Sequence, residues 1–112
     1  MVLPEDGCLL RIFIGESEKA EGKPLYQWLV EKAKTAGLAG ATVWRGMMGY
    51  GANSRIHTSK ILRLSQDLPV IVEIVDARER LEAFLDEVDG MIKGGLATLE
   101  KAQIHFYRSN RQ

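Results

Sequence analysis

The chain has 112 residues, 46% of them hydrophobic and 27% charged, which excludes a disordered chain and leaves room for a single domain over residues 1–112. Its 15 basic and 15 acidic residues give zero net charge, which argues against an overall electrostatic field for nucleic acid or a membrane surface. One cysteine rules out an intrachain disulfide. Because polar residues interrupt the amino terminus before any apolar run, we expect a cytoplasmic protein with no signal peptide.

The first half of the chain is predicted to form a strand, a helix and a second strand. Apolar residues alternate with others over residues 8–14, a period that is typical of a strand. Gly22 and Pro24 introduce a helix with one apolar stripe, and Gly37 ends it in the left-handed conformation. The second strand is predicted at about residues 41–48.

The second half repeats this order. Residues 70–75 form a nearly unbroken apolar run, which indicates a central strand. Asp76 is predicted to cap the second helix, with Glu79 as the acid of a capping box, and residues 102–108 alternate as a last strand. The order is therefore β-α-β-β-α-β, which predicts an α+β, ferredoxin-like fold: a four-stranded antiparallel sheet with two helices on one face.

The other face of this predicted sheet carries apolar side chains, among them Leu9 and Phe13 of the first strand. Soluble monomers rarely expose a large apolar patch, so we expect a partner subunit to cover that face.

A long connection separates the second and third strands, from Gly49 to Pro69, where a short hairpin would suffice. It opens with Gly49-Tyr50-Gly51 and carries four basic or imidazole side chains against one acid, Asp67: Arg55, His57, Lys60 and Arg63. From the residues alone this segment is either a functional loop, at about 50–67, or a solvated extension of a hairpin.

A glycine-rich turn, residues 90–95, lies between the second helix and the last strand. Glycines let backbone amides approach an anion, and Lys93 adds a positive charge. The alternative is that Gly94-Gly95 only stops the helix. The two standard phosphate-loop motifs are absent from both this turn and the long connection.

Catalytic and metal-binding patterns are sparse, so we expect neither enzymatic activity nor a metal site. His57 and His105 have no Cys/His cluster around them. His105 is expected on a strand face, and Cys8 is expected to be a buried packing residue. Glu16 and Glu18 are adjacent loop acids that either line a site or, as paired surface acids more often do, face solvent. No pair of nucleophile and base can be specified.

Several segments together resemble the nitrogen-regulatory PII proteins, and most closely a PII-like branch of uncharacterised proteins. The resemblance runs from about residue 8 to residue 108. The segments that carry it are Gly15-Glu16-Ser17, Gly22-Lys23-Pro24-Leu25-Tyr26, Gly37-Leu38-Ala39-Gly40-Ala41-Thr42-Val43, Arg45-Gly46, Gly49-Tyr50-Gly51 and Ser54-Arg55-Ile56-His57.

The resemblance implies a homotrimer with inward-facing sheets, adenine nucleotides in the clefts between subunits, and a long loop that engages a target protein. The family's nucleotide contacts match the start of strand two, the base of the loop, the glycine turn and the last strand. Those positions are Thr42, Gly49, Gly51, Lys93, Gly94, Gly95 and Arg108, and we add Arg45 as a further positive charge near the phosphates. The target-interaction residues are then Tyr50, Arg55, His57, Lys60 and Arg63.

This chain also departs from the PII pattern. Phe106 replaces a second phosphate-binding arginine, the glycine turn lacks the Gly-Asp-Gly-Lys order, and the uridylylation context is absent around Tyr50. AMP or ADP is therefore at least as suitable a ligand as ATP, acting as an effector rather than a cofactor. The preferred hypothesis is a nucleotide sensor that reports to an enzyme or a membrane transporter. The alternatives are a small enzyme using the same cleft and a metal-tolerance trimer, the latter disfavoured by few Cys and His residues.

Overall fold

A computed structural model describes residues 2–51 and 67–110. These described residues contain six strands and two helices. They are β1 (Asp6–Gly15), β2 (Lys19–Ala20), β3 (Lys23–Pro24), α1 (Leu25–Thr35), β4 (Thr42–Arg45), β5 (Pro69–Asp76), α2 (Arg78–Val88) and β6 (Leu96–Gln103), with a short 3-10 turn at Asp89–Met91.

Four of the strands form one antiparallel sheet in the order β4-β5-β1-β6. The two central strands, β5 and β1, are the two with the most apolar sequences, and both helices pack on the same side of them. This order, with its two crossover helices, confirms the predicted ferredoxin-like fold.

The core lies between the helices and one face of the sheet. In β1 every second residue is buried there, and β5 contributes its own alternate residues. Each helix adds a stripe at the spacing of one helical face. The buried residues of the core include Leu10, Ile12, Val72, Ile74, Leu25, Trp28, Leu29, Leu81, Phe84 and Val88. Cys8 belongs to the same core, as expected.

A small hairpin precedes α1 and was not predicted. Its strands β2 and β3 are joined by Glu21 and Gly22, whose φ angles of 52° and 80° fit the tight turn that favours two-residue hairpins. Pro24 then occupies the N-cap position, and α1 ends before Gly37, which has φ 77° as expected for a glycine stop.

The predicted last strand was wrong in position, because β6 covers Leu96–Gln103 rather than 102–108. Leu96 pairs with Phe13 and Gln103 with Asp6, so β6 begins directly after the glycine turn. Residues 104–108 form a tail beyond the sheet, in which Ile104 is half-buried and donates its N–H to the carbonyl oxygen of Glu5, while residues 105–108, His105 among them, are exposed.

The predicted capping box was also wrong. The N-cap of α2 is Ala77, with no side-chain cap bond, and Asp76 is instead the last residue of β5. Its carboxylate is fully buried and accepts hydrogen bonds from the backbone N–H of Ala39 at 2.9 Å and of Ala77 at 2.7 Å, and from Arg80 Nε at 2.9 Å. Asp76 therefore ties the connection before β4 to α2.

Within residues 2–51 and 67–110, no helix is long and apolar enough to cross a membrane. The long-loop residues Arg55, His57, Lys60 and Arg63 lie outside the described residues.

Candidate functional site

The glycine turn before β6 lines a cavity of about 240 Å³. Lys93, Gly94 and Gly95 form one wall, and the remaining lining is mostly apolar, with one acid: Ile12, Leu85, Asp89, Ile92, Leu96 and Ala97. Lys93 is exposed at this wall. The turn thus combines close backbone approach, an apolar floor and a positive charge, which suits an organic anion.

Gly95 also has a structural reason to be glycine. Its φ is 139°, and a Cβ built on it would lie 2.4 Å from the carbonyl oxygen of Phe13. A side chain here would therefore disturb the first pair of the β1–β6 ladder, in addition to any effect on a ligand.

The base of the long loop packs on Pro69. Gly46 donates its N–H to the carbonyl oxygen of Pro69 at 2.7 Å, and a Cβ at Gly46 or Gly49 would lie 2.6 or 3.0 Å from Pro69 Cγ. Gly51 follows, and both it and Tyr50 are exposed. The glycines at 46 and 49 thus allow the chain to turn closely over the start of β5.

The two predicted site residues of β4 point in different directions. Thr42 pairs with Glu73 and lies on the sheet face away from the helices. Arg45 pairs with Val70, a core residue, so it lies on the helix side of this edge, where its guanidinium contacts the Glu16 carboxylate. One protomer therefore does not bring these two side chains onto one surface.

The predicted basic residue Arg108 lies in the tail after β6. Its guanidinium carbon is 4.1 Å from the centroid of the Phe106 ring, within the range of a cation–π contact. The hydroxyl of Tyr107 donates to the carbonyl oxygen of Ala39 at 2.6 Å, which places the tail beside the connection that leads into Thr42. The tail and the amino-terminal segment also line a groove of about 520 Å³.

The register of the sheet shows how far apart the predicted nucleotide-binding residues lie. Trp44, Ile71, Phe13 and Leu96 form one row across the four strands, so the ends of β4 and β6 lie about 14 Å apart at three strand spacings. The opposite end of β6, from which the tail carrying Arg108 departs, lies about 23 Å further along the strand at seven residue steps. The predicted nucleotide residues thus occupy three separate places on a protomer.

The sheet face away from the helices is apolar at its margins and charged at its centre. Trp44 and Leu96 are 56% and 57% exposed there, in the same row as Ile71 and Phe13. In the adjoining row, Arg11 lies between two carboxylates.

The central ion pairs of this face are well defined. Arg11 Nε donates to Glu73 at 2.9 Å, and Arg11 Nη1 donates to Glu100 at 2.6 Å. The hydrogen bond from Arg11, followed by one from Trp44 Nε1 at 2.9 Å, lowers the pKa of Glu73 despite partial burial. The same Glu73 bond raises the pKa of Arg11.

Sequence reasoning missed the roles of several acids near the loop. Glu16 and Glu18 do not simply face solvent: Glu16 contacts Arg45, and Glu18 accepts the Gly15 N–H at 2.8 Å. Asp67, at the far end of the loop, accepts both the N–H and the hydroxyl of Ser17, at 3.0 and 2.9 Å. The Glu16–Arg45 and Ser17–Asp67 partners are 29 and 50 positions apart, so no local pattern could have indicated them.

Among the described residues, no group of three or more His, Cys, Asp or Glu side chains is arranged to hold a metal ion.

Comparison with known proteins identifies a family and several relatives of this chain. Residues 7–104 match the family DUF190, described as Uncharacterized ACR, COG1993. A UPF0166 protein of Aquifex aeolicus is 48% identical over 96 residues, covering 86% of this chain and 90% of its own length. UPF0166 protein MJ1524 of Methanocaldococcus jannaschii is 35% identical over 98 residues, covering 87% of this chain and 90% of its own.

Solved structures match the fold. CPII from Thiomonas intermedia K12, bound to ADP, AMP and acetate, superposes with a TM-score of 0.66 at 13% identity over 90% of each chain. The putative PII-like signaling protein TTHA0516 from Thermus thermophilus gives 0.60 at 20% identity over 93% of each chain. These likenesses extend the PII-like resemblance to the arrangement of helices and strands. With a family match over most of its length, the chain belongs to the DUF190 family and has a PII-like fold.

Proposed function

We propose that this protein is a homotrimeric regulator that binds an adenine nucleotide between its subunits and reports the bound state to a target protein through the segment at about 50–67. The observation that carries the proposal is the cavity at Lys93, Gly94 and Gly95, where a positive charge and a close backbone approach adjoin an apolar floor. Support also comes from CPII, a protein of the same fold that is described as bound to ADP and AMP.

The separation of the predicted ligand residues supports a site shared between subunits. Lys93 and Arg108 lie near opposite ends of β6, so one small ligand cannot contact both within one protomer. A second copy that brings its own tail to the glycine turn would unite them. Tyr107 holds the tail against Ala39, and Arg108 is exposed, so the Arg108 side chain is accessible to a ligand that is bound at the glycine turn of a second copy.

The sheet face supports assembly on independent grounds. Its apolar row holds Trp44 and Leu96, each more than half exposed, and Val75, two rows away on the same face, is 36% exposed. Burying this row against other copies would remove a patch that is unfavourable in water. The Arg11 pairs with Glu73 and Glu100 are made within the subunit, so the charged centre already has partners before it is covered.

The cations around the site favour a ligand with few phosphates. Arg108 lies over Phe106, at the position where PII proteins carry a second arginine, and Arg45 is engaged by Glu16. Lys93 is then the main charge at the turn. We therefore expect AMP or ADP to bind at least as well as ATP.

Calorimetry with adenosine, AMP, ADP and ATP tests the proposal. Lys93→Ala removes one charge-assisted contact of about 1.5–3 kcal/mol, so the affinity for ADP should fall about ten- to hundredfold. Lys101→Ala, an exposed lysine further along β6, is the matched control and should bind like the wild type. Equal affinity in the two variants would place the ligand elsewhere, and no binding of any adenine compound by the wild type would contradict the nucleotide proposal.

Mixing variants tests the shared site. Lys93→Ala and Arg108→Ala trimers should each bind weakly. Trimers reassembled from equal amounts of both should regain roughly a quarter of the wild-type sites, because three in four random trimers are mixed and each mixed trimer has one cleft with both residues. Light scattering should report three chains. A stable monomer at micromolar concentration would contradict the assembly.

A further inference from the structure

The turn between β1 and β2, residues 15–18, has its backbone N–H groups committed within the protein. Gly15 donates to the Glu18 carboxylate at 2.8 Å, and Glu16 donates to the carbonyl oxygen of Leu68 at 2.9 Å. Ser17 donates to Asp67 at 3.0 Å, and Glu18 donates back to the carbonyl oxygen of Gly15 at 3.2 Å. This turn therefore offers no spare amides to a phosphate, and its conformation is fixed at both ends.

The fixed turn directs one carboxylate at the nearest candidate cation. Glu16 contacts the guanidinium of Arg45, with side chains that are 25% and 64% exposed. Since the bond to Leu68 already fixes the Glu16 backbone, only the two side chains must be ordered to form the contact, and the exposed guanidinium retains access to another anion. The contact is thus a preset pair that a second anion could break.

We propose that Glu16 is a specificity-determining residue of the nucleotide site: it occupies Arg45, the predicted positive charge at the base of the loop, in the free protein, and a ligand phosphate that reaches the base of the loop must displace it. The inference rests on the nucleotide-binding proposal above and adds to it a residue that competes with the ligand. Displacement exchanges one carboxylate for one phosphate oxygen on the same guanidinium, so the net gain from Arg45 is only the difference between the two contacts. A ligand too short to reach Arg45, or without phosphate, leaves the pair intact.

The Glu16–Arg45 contact lowers the affinity for some ligands and not for others. Adenosine does not meet the competitor, and nucleotides whose phosphates reach Arg45 bind more weakly than they would without Glu16. Arg45 is 64% exposed, and ion pairs at the surface contribute up to about 1 kcal/mol, so removing the competitor should raise affinity about two- to fivefold. The effect is small, which makes the choice of controls decisive.

The test uses the full chain and calorimetry with ADP and adenosine. Glu16→Gln keeps the size of the side chain and removes its charge, and it should tighten ADP about two- to fivefold while leaving adenosine unchanged. Glu82→Gln makes the same change of net charge at an exposed ion pair on α2 and should alter neither ligand. Each variant should lose at most about 1 kcal/mol of stability, because each removes one ion pair at the surface.

A double variant separates competition from a general electrostatic effect. On an Arg45→Ala background, Glu16→Gln should give no gain for ADP, because the cation over which the anions compete is gone. An equal gain without Arg45, or no gain with it, overturns the inference while leaving nucleotide binding intact. If neither the wild type nor Glu16→Gln binds any adenine nucleotide, the proposed function fails, and this inference with it.

Discussion

Replacing Asp76 by alanine should destabilise the protein more than any other acid-to-alanine change on α2 or its flanks. Asp76 is 0% exposed and accepts two backbone N–H groups, those of Ala39 and Ala77, in addition to Arg80. The two N–H groups would lose their acceptor. An unsatisfied buried donor costs about 1–3 kcal/mol, and because Ala39 and Ala77 are only partly buried we expect about 1 kcal/mol for each.

The ion pair with Arg80 adds less than a fully buried pair would. The Arg80 side chain is 42% exposed and also donates to the carbonyl oxygen of Gly37, so water and that contact stabilise it once the carboxylate is gone. The total loss for Asp76→Ala should therefore be about 2–3 kcal/mol in the free energy of unfolding. With a slope of about 1.5 kcal/mol per molar urea, the midpoint should fall by about 1.5 M.

Urea unfolding followed by far-UV circular dichroism, at one fixed protein concentration, measures this loss. Asp86→Ala on the exposed side of α2 is the matched control and should change the free energy of unfolding by less than about 0.5 kcal/mol. Asp76→Asn should fall between the two, because an amide nitrogen would face one of the N–H donors. If Asp76→Ala unfolded at the same midpoint as Asp86→Ala, the three contacts would not be stabilising, and the assignment of Asp76 as the tie between the two connections would be refuted.

Three further expectations concern other parts of the molecule. Gly95→Ala should lower the unfolding temperature by about 10 °C, because its Cβ meets the β1 backbone, whereas Gly90→Ala, with open space around it, should be neutral in a thermal shift assay. Glu73 has a lowered pKa because Arg11 donates to it, so its stabilisation is complete above the ordinary pKa of an unfolded glutamate and is lost as pH falls through the lowered pKa of the folded state. Glu73→Gln should therefore flatten the acid limb of stability measured from about pH 6 to 3. Phe13→Glu should shift a sizing column toward the monomer, and an unchanged elution volume would exclude the sheet face as the interface.

The sequence was sufficient to predict the helices and strands that bury one face, because burial determines the pattern of their apolar residues. In β1 alternate residues enter the core, and in α1 and α2 a helical stripe does, so the spacing of apolar residues identified these three, while a nearly unbroken apolar run identified β5. The order of those elements then led to the fold, because right-handed crossovers leave few arrangements of a four-stranded sheet.

The edge strand β6 was misplaced because its local signal is weak. Residues 96–103 include Ala, Glu, Lys and Gln, which have low strand propensity, and most are exposed. The tail at 104–108 has stronger strand formers, yet it continues past the end of β1 and has no further partner strand in the described sheet. Pairing with β1, rather than propensity, decides which segment joins the sheet.

Asp76 shows the same limit at the level of a single residue. An acid followed three positions later by Glu79 is the usual sign of a helix start, and the helix does start nearby. The carboxylate is nevertheless taken by Ala39, which is 37 positions away. Asp76 thus combines this long-range contact with local ones to Ala77 and Arg80, and it does not serve as the N-cap of α2.

Some features of the candidate site could be predicted from the sequence, and others depend on long-range contacts and could not. The position of the glycine turn could be read from the chain, and so could its separation from the loop base, since β-α-β-β-α-β order places the second and last strands at opposite edges of the sheet. Within one copy three strand spacings, about 14 Å, separate the two groups, so a single phosphate group cannot contact both backbones. The balance of charge at the loop base could not be read, because the Glu16–Arg45 contact spans 29 positions. An arginine identified by its place in a motif is available to a ligand only to the extent that the folded chain leaves it unengaged, and here the chain supplies the competing carboxylate itself.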